Sequence, residues 1–356
     1  MTDRSTDTHR ITFVPSMRTI DCGEQTSILS AALDAGIQLP FSCRSGVCRT
    51  CRGRITHGEV AHGSVHPAYL TEIDRAKGFA HLCQATPRAD CTISIDEVDA
   101  GKTFAGKQYP ARILELTRPT PDVAIVKLGL PPNEPLRFHA GQYVDILLDG
   151  NLRRSYSLAN APRGDGARQI ELHIRHLTGG TFTDRVFSTL KIRDMLRIEA
   201  PQGQFYLRED SDKPIVLLAS GTGFAPIKSI VEYSIARGLR RPIHLFWGGR
   251  RRADLYLDAL ARSWAVEHPH IQYTPVLSEP SAECSWTGPI GFVHRAVAGH
   301  VAELANAQVY ACGVPVMVEA ARQEFCAAGL PEEAFFSDAF VSEADKASNQ
   351  DLEIAS

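Results

Sequence analysis

Residues 215–226 read Ile215-Val216-Leu217-Leu218-Ala219-Ser220-Gly221-Thr222-Gly223-Phe224-Ala225-Pro226. Five apolar residues in a row, 215–219, predict a strand buried on both faces, as in a parallel sheet covered by helices. The glycines of the following turn let a backbone approach a bound group closely. Pro226 suits the first turn of a helix, and the helical pattern runs on to residue 237. A buried strand, a glycine turn and a helix in this order form one unit of a doubly wound α/β domain. The helix N-terminus behind such a turn favours the charge of a pyrophosphate. The motif is not the G-x-G-x-x-G of ordinary dehydrogenases, so by itself it does not assign their common fold.

Downstream, residues 243–247, 273–277, 309–312 and 334–336 are further strand candidates that alternate with helices, which sets an α/β domain at 210–341. The tail, 342–356, is polar and expected to be mobile. Upstream the style changes. Segments 123–130, 142–148, 154–158 and 169–175 read as short strands between Pro, Gly and Asn stretches, which predicts an antiparallel barrel over 109–209. Residues 99–108 carry two glycines and little apolar content, as a linker would. The first block, 9–98, shows short strands at 11–14, 18–20 and 92–95, with a helix at 27–35.

That block holds six of the nine cysteines. Cys43, Cys48, Cys51 and Cys83 are spaced C-x4-C-x2-C with a distant fourth, the plant-type [2Fe-2S] pattern. Three thiolates on one tight loop and a fourth from elsewhere are what such a cluster needs, with Gly46 relieving the loop so that backbone N–H groups approach sulfur. Structural zinc more often shows paired short spacings. A Rieske centre needs two histidine ligands; His57, His62, His66 and His81 lie nearby, but four intact cysteines leave them no ligand role. Cys22 and Cys91 fall outside the pattern and read as small buried hydrophobes. Arg44, Arg49, Arg52 and Arg54 flank the loop with no acid between them. They read as solvated charge that partly compensates an anionic cluster, and as a basic docking face for an acidic electron acceptor.

In the barrel block, Arg154-Ser155-Tyr156-Ser157 fits R-x-Y-S. On a strand, Arg154 and Tyr156 share a face, so a cation can hold a phosphate while the ring packs on an isoalloxazine, and the Ser157 backbone can reach flavin edge atoms. His173 and Arg175 again share a face, with an exposed strand face as the plain alternative. Gly180, Thr181 and Thr183 belong to a stretch, 179–183, that can open a helix toward a pyrophosphate. Cys312-Gly313-Val314-Pro315 lies where a strand meets a helix, and Cys312 can equally be a core residue there.

With these motifs in order, the chain resembles the ferredoxin–NADP reductase superfamily, with a plant-type ferredoxin fused ahead of it. The stretches RRSYSLANAP, IELHIRH, LLASGTGFAPIKS, WGGRRRADLY and VYACGVPVMV are similar to CDP-6-deoxy-glucoseen reductases and to the reductase components of phenol hydroxylase and aromatic-ring dioxygenases. The resemblance spans roughly residues 11–341. It implies FAD rather than FMN, with flavin contacts at Arg154, Tyr156, Ser157, His173, Arg175 and Thr183. It implies NAD(P)H binding at Gly221, Thr222, Gly223 and Gly313, with Cys312 near the nicotinamide carbon that gives up hydride. Asp338 and Phe340 match an acid-x-Phe element that reaches the flavin in relatives, although many of those carry Glu. The fold expected is multidomain α+β and α/β: a β-grasp ferredoxin, an antiparallel β-barrel flavin domain and a doubly wound parallel α/β nicotinamide domain.

Coenzyme choice pulls two ways. No acid ends the 243–247 strand to grip a ribose hydroxyl, and Arg250, Arg251 and Arg252 suit the 2′-phosphate of NADPH. Yet an arginine ahead of Asp254-Leu255-Tyr256 also occurs in NADH-using relatives, which tilts the expectation to NADH. The three modules fit one route: a nicotinamide gives two electrons, a [2Fe-2S] cluster takes one, and a flavin between them handles both. No general acid or base is required.

The rest of the sequence agrees with this class. The 356 residues, 44% hydrophobic and 22% charged, make a two- or three-domain globular chain rather than a disordered one. A net charge of −3 speaks against a nucleic-acid partner, no apolar run approaches a membrane span, and residues 1–10 lack the apolar core of a signal peptide. A cytoplasmic protein is expected, where clustered cysteines bind metal rather than pair. The function expected is a reductase component passing electrons from NAD(P)H through FAD and [2Fe-2S] to a partner oxygenase, with aromatic-ring oxidation foremost. A partner nucleotide-sugar dehydrase is the alternative, as is an electron carrier without reductase activity.

Overall fold

The computed structural model describes residues 8–98, 103–300 and 304–340. Among these, the chain divides into two compact units between Thr103 and Phe104. Most of the expected linker's first half (99–102) and the tail lie outside the described residues.

The first unit is a β-grasp. Strands β1 (Thr8–Val14) and β2 (Arg18–Gly23) form a hairpin, and helix α1 (Ile28–Asp34) follows, capped by Ser27, whose hydroxyl accepts from Ser30 N. Then come β3 (Arg52–His57), the short β4 (Val60–Ala61), α2 (Glu72–Ala76), β5 (Phe79–His81), β6 (Thr86–Pro87) and β7 (Cys91–Ser94). The main sheet has the order β2-β1-β7-β3-β5, with β1 and β7 parallel at its centre. Alternation explains the core: Ile11, Phe13, Cys91 and Ile93 turn inward against Ile28, Leu29 and Ala32 of α1.

The second unit opens with a six-stranded antiparallel sheet. Its strands are β8 (Lys107–Thr120), β9 (Val123–Gly129), β10 (Tyr143–Leu147), β11 (Arg153–Ser157), β12 (Gln169–Arg175) and β13 (Met195–Gln202), with α3 (Thr183–Ser188) between the last two. The order β11-β10-β13-β8-β9-β12 closes into a barrel through the bridge between Leu158 and Leu172. Ile170, Leu172 and Ile174 point into it with Ile113, Val126 and Ile146. β8 and β13 have no counterpart among the strands expected from sequence. Pro110 interrupts the apolar pattern of β8, and it sits where β8 pairs with β13 alone, a place where a missing N–H is tolerated.

The α/β part runs β14 (Ile215–Ser220), α4 (Phe224–Ala236), β15 (Ile243–Gly249), α5 (Asp258–Glu267), β16 (Ile271–Leu277), α6 (Val293–Ala298), β17 (Gln308–Gly313), α7 (Pro315–Ala327) and β18 (Phe335–Ala339). All five strands are parallel, in the order β16-β15-β14-β17-β18. The chain reverses direction across the sheet between β14 and β17, so a crevice opens at their carboxyl ends. No helix among the described residues is long and apolar enough to cross a membrane.

Candidate functional site

The cluster loop runs between α1 and β3 without helix or strand. Its shape is set by three left-handed residues, Arg44, Gly46 and Arg49. A Cβ on Gly46, at φ +78°, would press on Val65 and Gln84 at 3.0–3.1 Å. The compact loop turns amides toward sulfur: Ser45 N and Cys48 N both donate to Cys43 Sγ at 3.4 Å, and Cys43 N donates to Cys48 Sγ at 3.5 Å. Burial opposes a charge on Cys43, but hydrogen bonds from Cys48 and Ser45 outweigh it and lower the thiol to about 5. Among the described residues no three His, Cys, Asp or Glu groups gather as one ion would need. The thiols meet in pairs, Cys43 with Cys48 and Cys51 with Cys83. Two thiol pairs, the first of them with three amide donors, fit a binuclear iron–sulfur cluster held by four cysteines.

His81 holds the loop from below. Its Nδ1 donates to the Gly46 carbonyl at 2.7 Å, and its buried Nε2 has no hydrogen-bond partner among the described residues. Burial pushes its pKa down to about 4, so the ring is neutral.

The four arginines divide. Arg52 stacks on Phe79 at 3.8 Å and pairs with Asp74 at 2.6 Å, and Arg49 lies 3.8 Å from the same carboxylate. Their side chains are 19% and 11% exposed. Asp74 also closes the capping box of α2 with Thr71. Burial opposes its charge, but the Thr71 hydrogen bonds and the two guanidiniums hold it below the usual carboxylate range. The acid that engages Arg49 and Arg52 thus comes from residue 74, outside the stretch in which the sequence shows none. Arg54 is exposed and Arg44 half-buried over Phe41.

In the barrel, β11 alternates as expected: Arg154 and Tyr156 share one face, and Ser157 turns to the other. Tyr156 leans on Phe182, ring centres 5.6 Å apart. Ser157 Oγ is buried with no hydrogen-bond partner among the described residues, and so are Arg175 Nε and Nη2. A buried hydroxyl without a partner on β11, and a guanidinium whose Nε and Nη2 meet only the Asp122 and Asp254 carboxylates at 3.7 Å, fit a polar, phosphate-bearing cofactor such as FAD. His173 is not an exposed strand residue: its ring is fully enclosed. Nε2 lies 3.0 Å from Glu171 and Nδ1 2.8 Å from Tyr256 Oη. A carboxylate only accepts, so Nε2 carries the proton and the tyrosine hydroxyl donates to Nδ1. Both ring nitrogens are therefore spent on protein. Thr183, buried at the start of the six-residue α3, donates its hydroxyl to Leu177 O at 2.8 Å, which fixes the turn carrying Gly180 and the exposed Thr181.

Gly221, Thr222 and Gly223 form a single 3-10 turn between β14 and α4. A Cβ on Gly223 would run into the Cys312 carbonyl, so only glycine lets α4 start this close to β17. Ser220 Oγ accepts from Val314 N at 3.1 Å, which ties the two strand ends. Cys312 is fully buried, between Ala219 and Asp338 in the sheet register. Burial, and then the Asp338 carboxylate, push its thiol far up, which keeps it neutral. It has the environment of a packing residue and lacks that of an activated nucleophile. Phe340 N donates to Gly313 O at 2.9 Å, and its half-buried ring packs on the α/β core. At the end of β15, Arg250, Arg251 and Arg252 are all exposed. Asp254 does not face a ligand freely: its Oδ2 accepts from Arg250 N and Arg251 N, both at 2.8 Å.

The structure brings the two sets together on β12. A Cβ on Gly221 would sit 3.5 Å from Arg175 Nη2, which itself lies 3.7 Å from Asp254. Residues missed from sequence are Glu171, Lys228 and Glu232; Phe224, Trp247 and Tyr256 lay in the quoted stretches, but their packing on one another was not foreseen. Phe224 and Trp247 stack 3.8 Å apart, with Tyr256 edge-on to both. The signal for Glu171 was its place two residues before His173; nothing local marked Lys228.

Residues 11–88 match the 2Fe-2S iron-sulfur cluster binding domain family, residues 110–206 the oxidoreductase FAD-binding domain family and residues 217–323 the oxidoreductase NAD-binding domain family. The chain is 43% identical to the CDP-6-deoxy-L-threo-D-glycero-4-hexulose-3-dehydrase reductase of Yersinia pseudotuberculosis, over 89% of this chain and 93% of that one. It is 34% identical to DmpP, the reductase component of phenol 2-monooxygenase of Pseudomonas sp., over 95% and 96% of the two chains. Among solved structures, the Amycolatopsis cytochrome P450 reductase GcoB is similar with a TM-score of 0.75 and 34% identity, covering 94% of this chain and 99% of that one.

Proposed function

The chain belongs to the iron–sulfur flavoprotein reductases that join a 2Fe-2S domain to FAD- and NAD-binding domains, and from that membership we propose that it passes electrons from NAD(P)H through FAD and a [2Fe-2S] cluster to a partner oxygenase. It is an NAD(P)H-dependent oxidoreductase. The cluster is assigned to residues 9–98, on Cys43, Cys48, Cys51 and Cys83. FAD is assigned to 109–209, against Arg154, Tyr156, Ser157, Arg175 and the turn of Gly180, Thr181 and Thr183. The coenzyme is assigned to 210–341, on Gly221–Gly223 and Gly313, with Arg250 toward its ribose. The His173 ring, engaged by Glu171 and Tyr256, orders the strand rather than touching the flavin.

What FAD supplies when bound is the exchange between a two-electron donor and a one-electron acceptor. The chain's residues do the rest. Arg175 brings positive charge to the flavin strand beside the coenzyme turn. Buried Cys312 and Asp338 close the crevice floor, and the Ser45 and Cys48 amides stabilise charge at sulfur. The observation that carries the reading is the approach of Arg175 to Gly221 inside one compact unit, a flavin strand beside a nicotinamide turn.

Similarity to the hexulose dehydrase reductase favours a second reading, in which the acceptor is a nucleotide-sugar dehydrase. The acceptor in either case docks on a basic face to which Arg44 and Arg54 contribute, in the cytoplasm where free thiols persist. The loaded protein is expected to show flavin and iron–sulfur absorption that bleaches anaerobically on adding NADH or NADPH. Coupled coenzyme consumption and product formation with purified oxygenase or dehydrase then separates the two acceptors. Zinc at the four thiols, or a flavin that neither coenzyme reduces, would overturn the proposal.

A further inference from the structure

Glu171, His173 and Arg175 line the site-facing side of β12, and each is held by a group from the α/β part. Glu171 Oε1 lies 3.2 Å from Lys228 Nζ, His173 bonds Tyr256, and Arg175 lies 3.7 Å from Asp254. Lys228 spans the joint. Its Nζ also meets Glu232 at 2.8 Å and donates to the Ala159 carbonyl, next to β11, at 3.2 Å. Ser229 adds a bond to the Asn160 carbonyl at 2.8 Å. The Lys228 side chain is 9% exposed and that of Glu171 16%. Burial opposes the charge on Glu171, but the bonds from His173 and Lys228 outweigh it and hold the carboxyl at about 2. Glu171 is therefore ionised and its pair with Lys228 is largely shielded from water, while Glu232 is 28% exposed.

An enclosed ion pair adds little net stability, because desolvation offsets the attraction. It is better suited to fixing geometry, and its members stand where geometry matters: α4 is the helix opened by the coenzyme turn, and β12 carries flavin contacts. Resting on the reductase reading above, we propose that Lys228 is a positioning residue that, clamped between Glu171 and Glu232, locks β12 to α4 and so sets the approach of coenzyme to flavin. No proton or electron passes through it. Hydride transfer depends steeply on that approach, a displacement of ~1 Å costing on the order of 100-fold in rate.

The test uses the full-length protein loaded with FAD and cluster. Lys228→Met keeps the stem and removes the charge. It is expected to hold one FAD per chain and to bind NAD+ by calorimetry within about threefold of the parent. Its flavin reduction rate at saturating NADH falls about 10- to 100-fold, by stopped flow. Lys228→Arg recovers part of that rate. An unchanged saturating rate, whether with a lowered melting temperature or with weaker NAD+ binding alone, would overturn the proposal. If Lys228→Met does not fold, Tyr256→Phe, which removes one hydroxyl of the same network, carries the test. A severalfold slower saturating rate supports the lock and an unchanged one overturns it. Parent protein whose flavin NADH and NADPH both fail to reduce would instead overturn the reductase reading.

Discussion

His81 shows how one side chain can serve a metal site without being a ligand. It sits two residues before Cys83, yet its Nδ1 is committed to the Gly46 carbonyl and so braces the left-handed turn of the cluster loop. Replacing it by leucine leaves that buried carbonyl without its donor, a cost of about 1–3 kcal/mol. His81→Leu is expected to unfold at lower denaturant and to lose iron to a chelator faster. Equal midpoints and equal chelation rates would remove the brace from the account. The four-cysteine pattern from which the ligands are proposed was legible because thiolate spacing along a tight loop is a local property. His81 was visible as a nearby histidine only, since its partner lies 35 residues away. Cys312 is the converse case. Sequence left it open between packing and coenzyme contact; burial and Asp338 make it a neutral thiol.

At the scale of elements, β12 and α4 carry the site between them. The alternation of Ile170, Leu172 and Ile174 marked the face of β12 that lies in the barrel core. The odd face, open to solvent in the plain reading, is instead covered by Lys228 and Tyr256 from the α/β part. That cover makes folding stability depend on pH at Glu171. Its carboxyl is held at about 2, below its unfolded value of ~4.3. The stability it contributes is therefore complete above about pH 4.5 and is lost as pH falls toward 2. This is the difference between the ionised and the protonated carboxyl in the folded network, on the order of 3 kcal/mol at most, and not the net worth of the ion pair. The stability gap between the parent and Glu171→Gln is expected to shrink over that window in denaturant titrations. A gap that stays constant from pH 6 to pH 2 would mean the carboxylate is not held by the network. The expected strand over 154–158 and helix from 226 are observed one or two residues earlier, at Arg153–Ser157 and Phe224–Ala236. Ends are set by hydrogen-bond partners, which periodicity does not contain.

At the scale of the whole molecule, electrons must leave through a partner, and charge governs that encounter. Asp74 engages Arg49 and Arg52, so the proposed docking face is tested at Arg44 and Arg54. Arg44→Glu with Arg54→Glu is expected to slow electron delivery to the acceptor at least severalfold at low salt and to flatten its dependence on ionic strength, while flavin reduction by coenzyme is unchanged. Equal delivery rates for parent and variant would place docking elsewhere. Sequence by itself determined the three families of chemistry and their order, because spacing, alternation and glycine turns act over a few residues. Tertiary structure alone decided which arginines are spent on Asp74, that both nitrogens of His173 are taken, and that Lys228 joins coenzyme helix to flavin strand. Those facts depend on groups tens of residues apart whose pairing, desolvation and charge exist only once the chain has closed on itself.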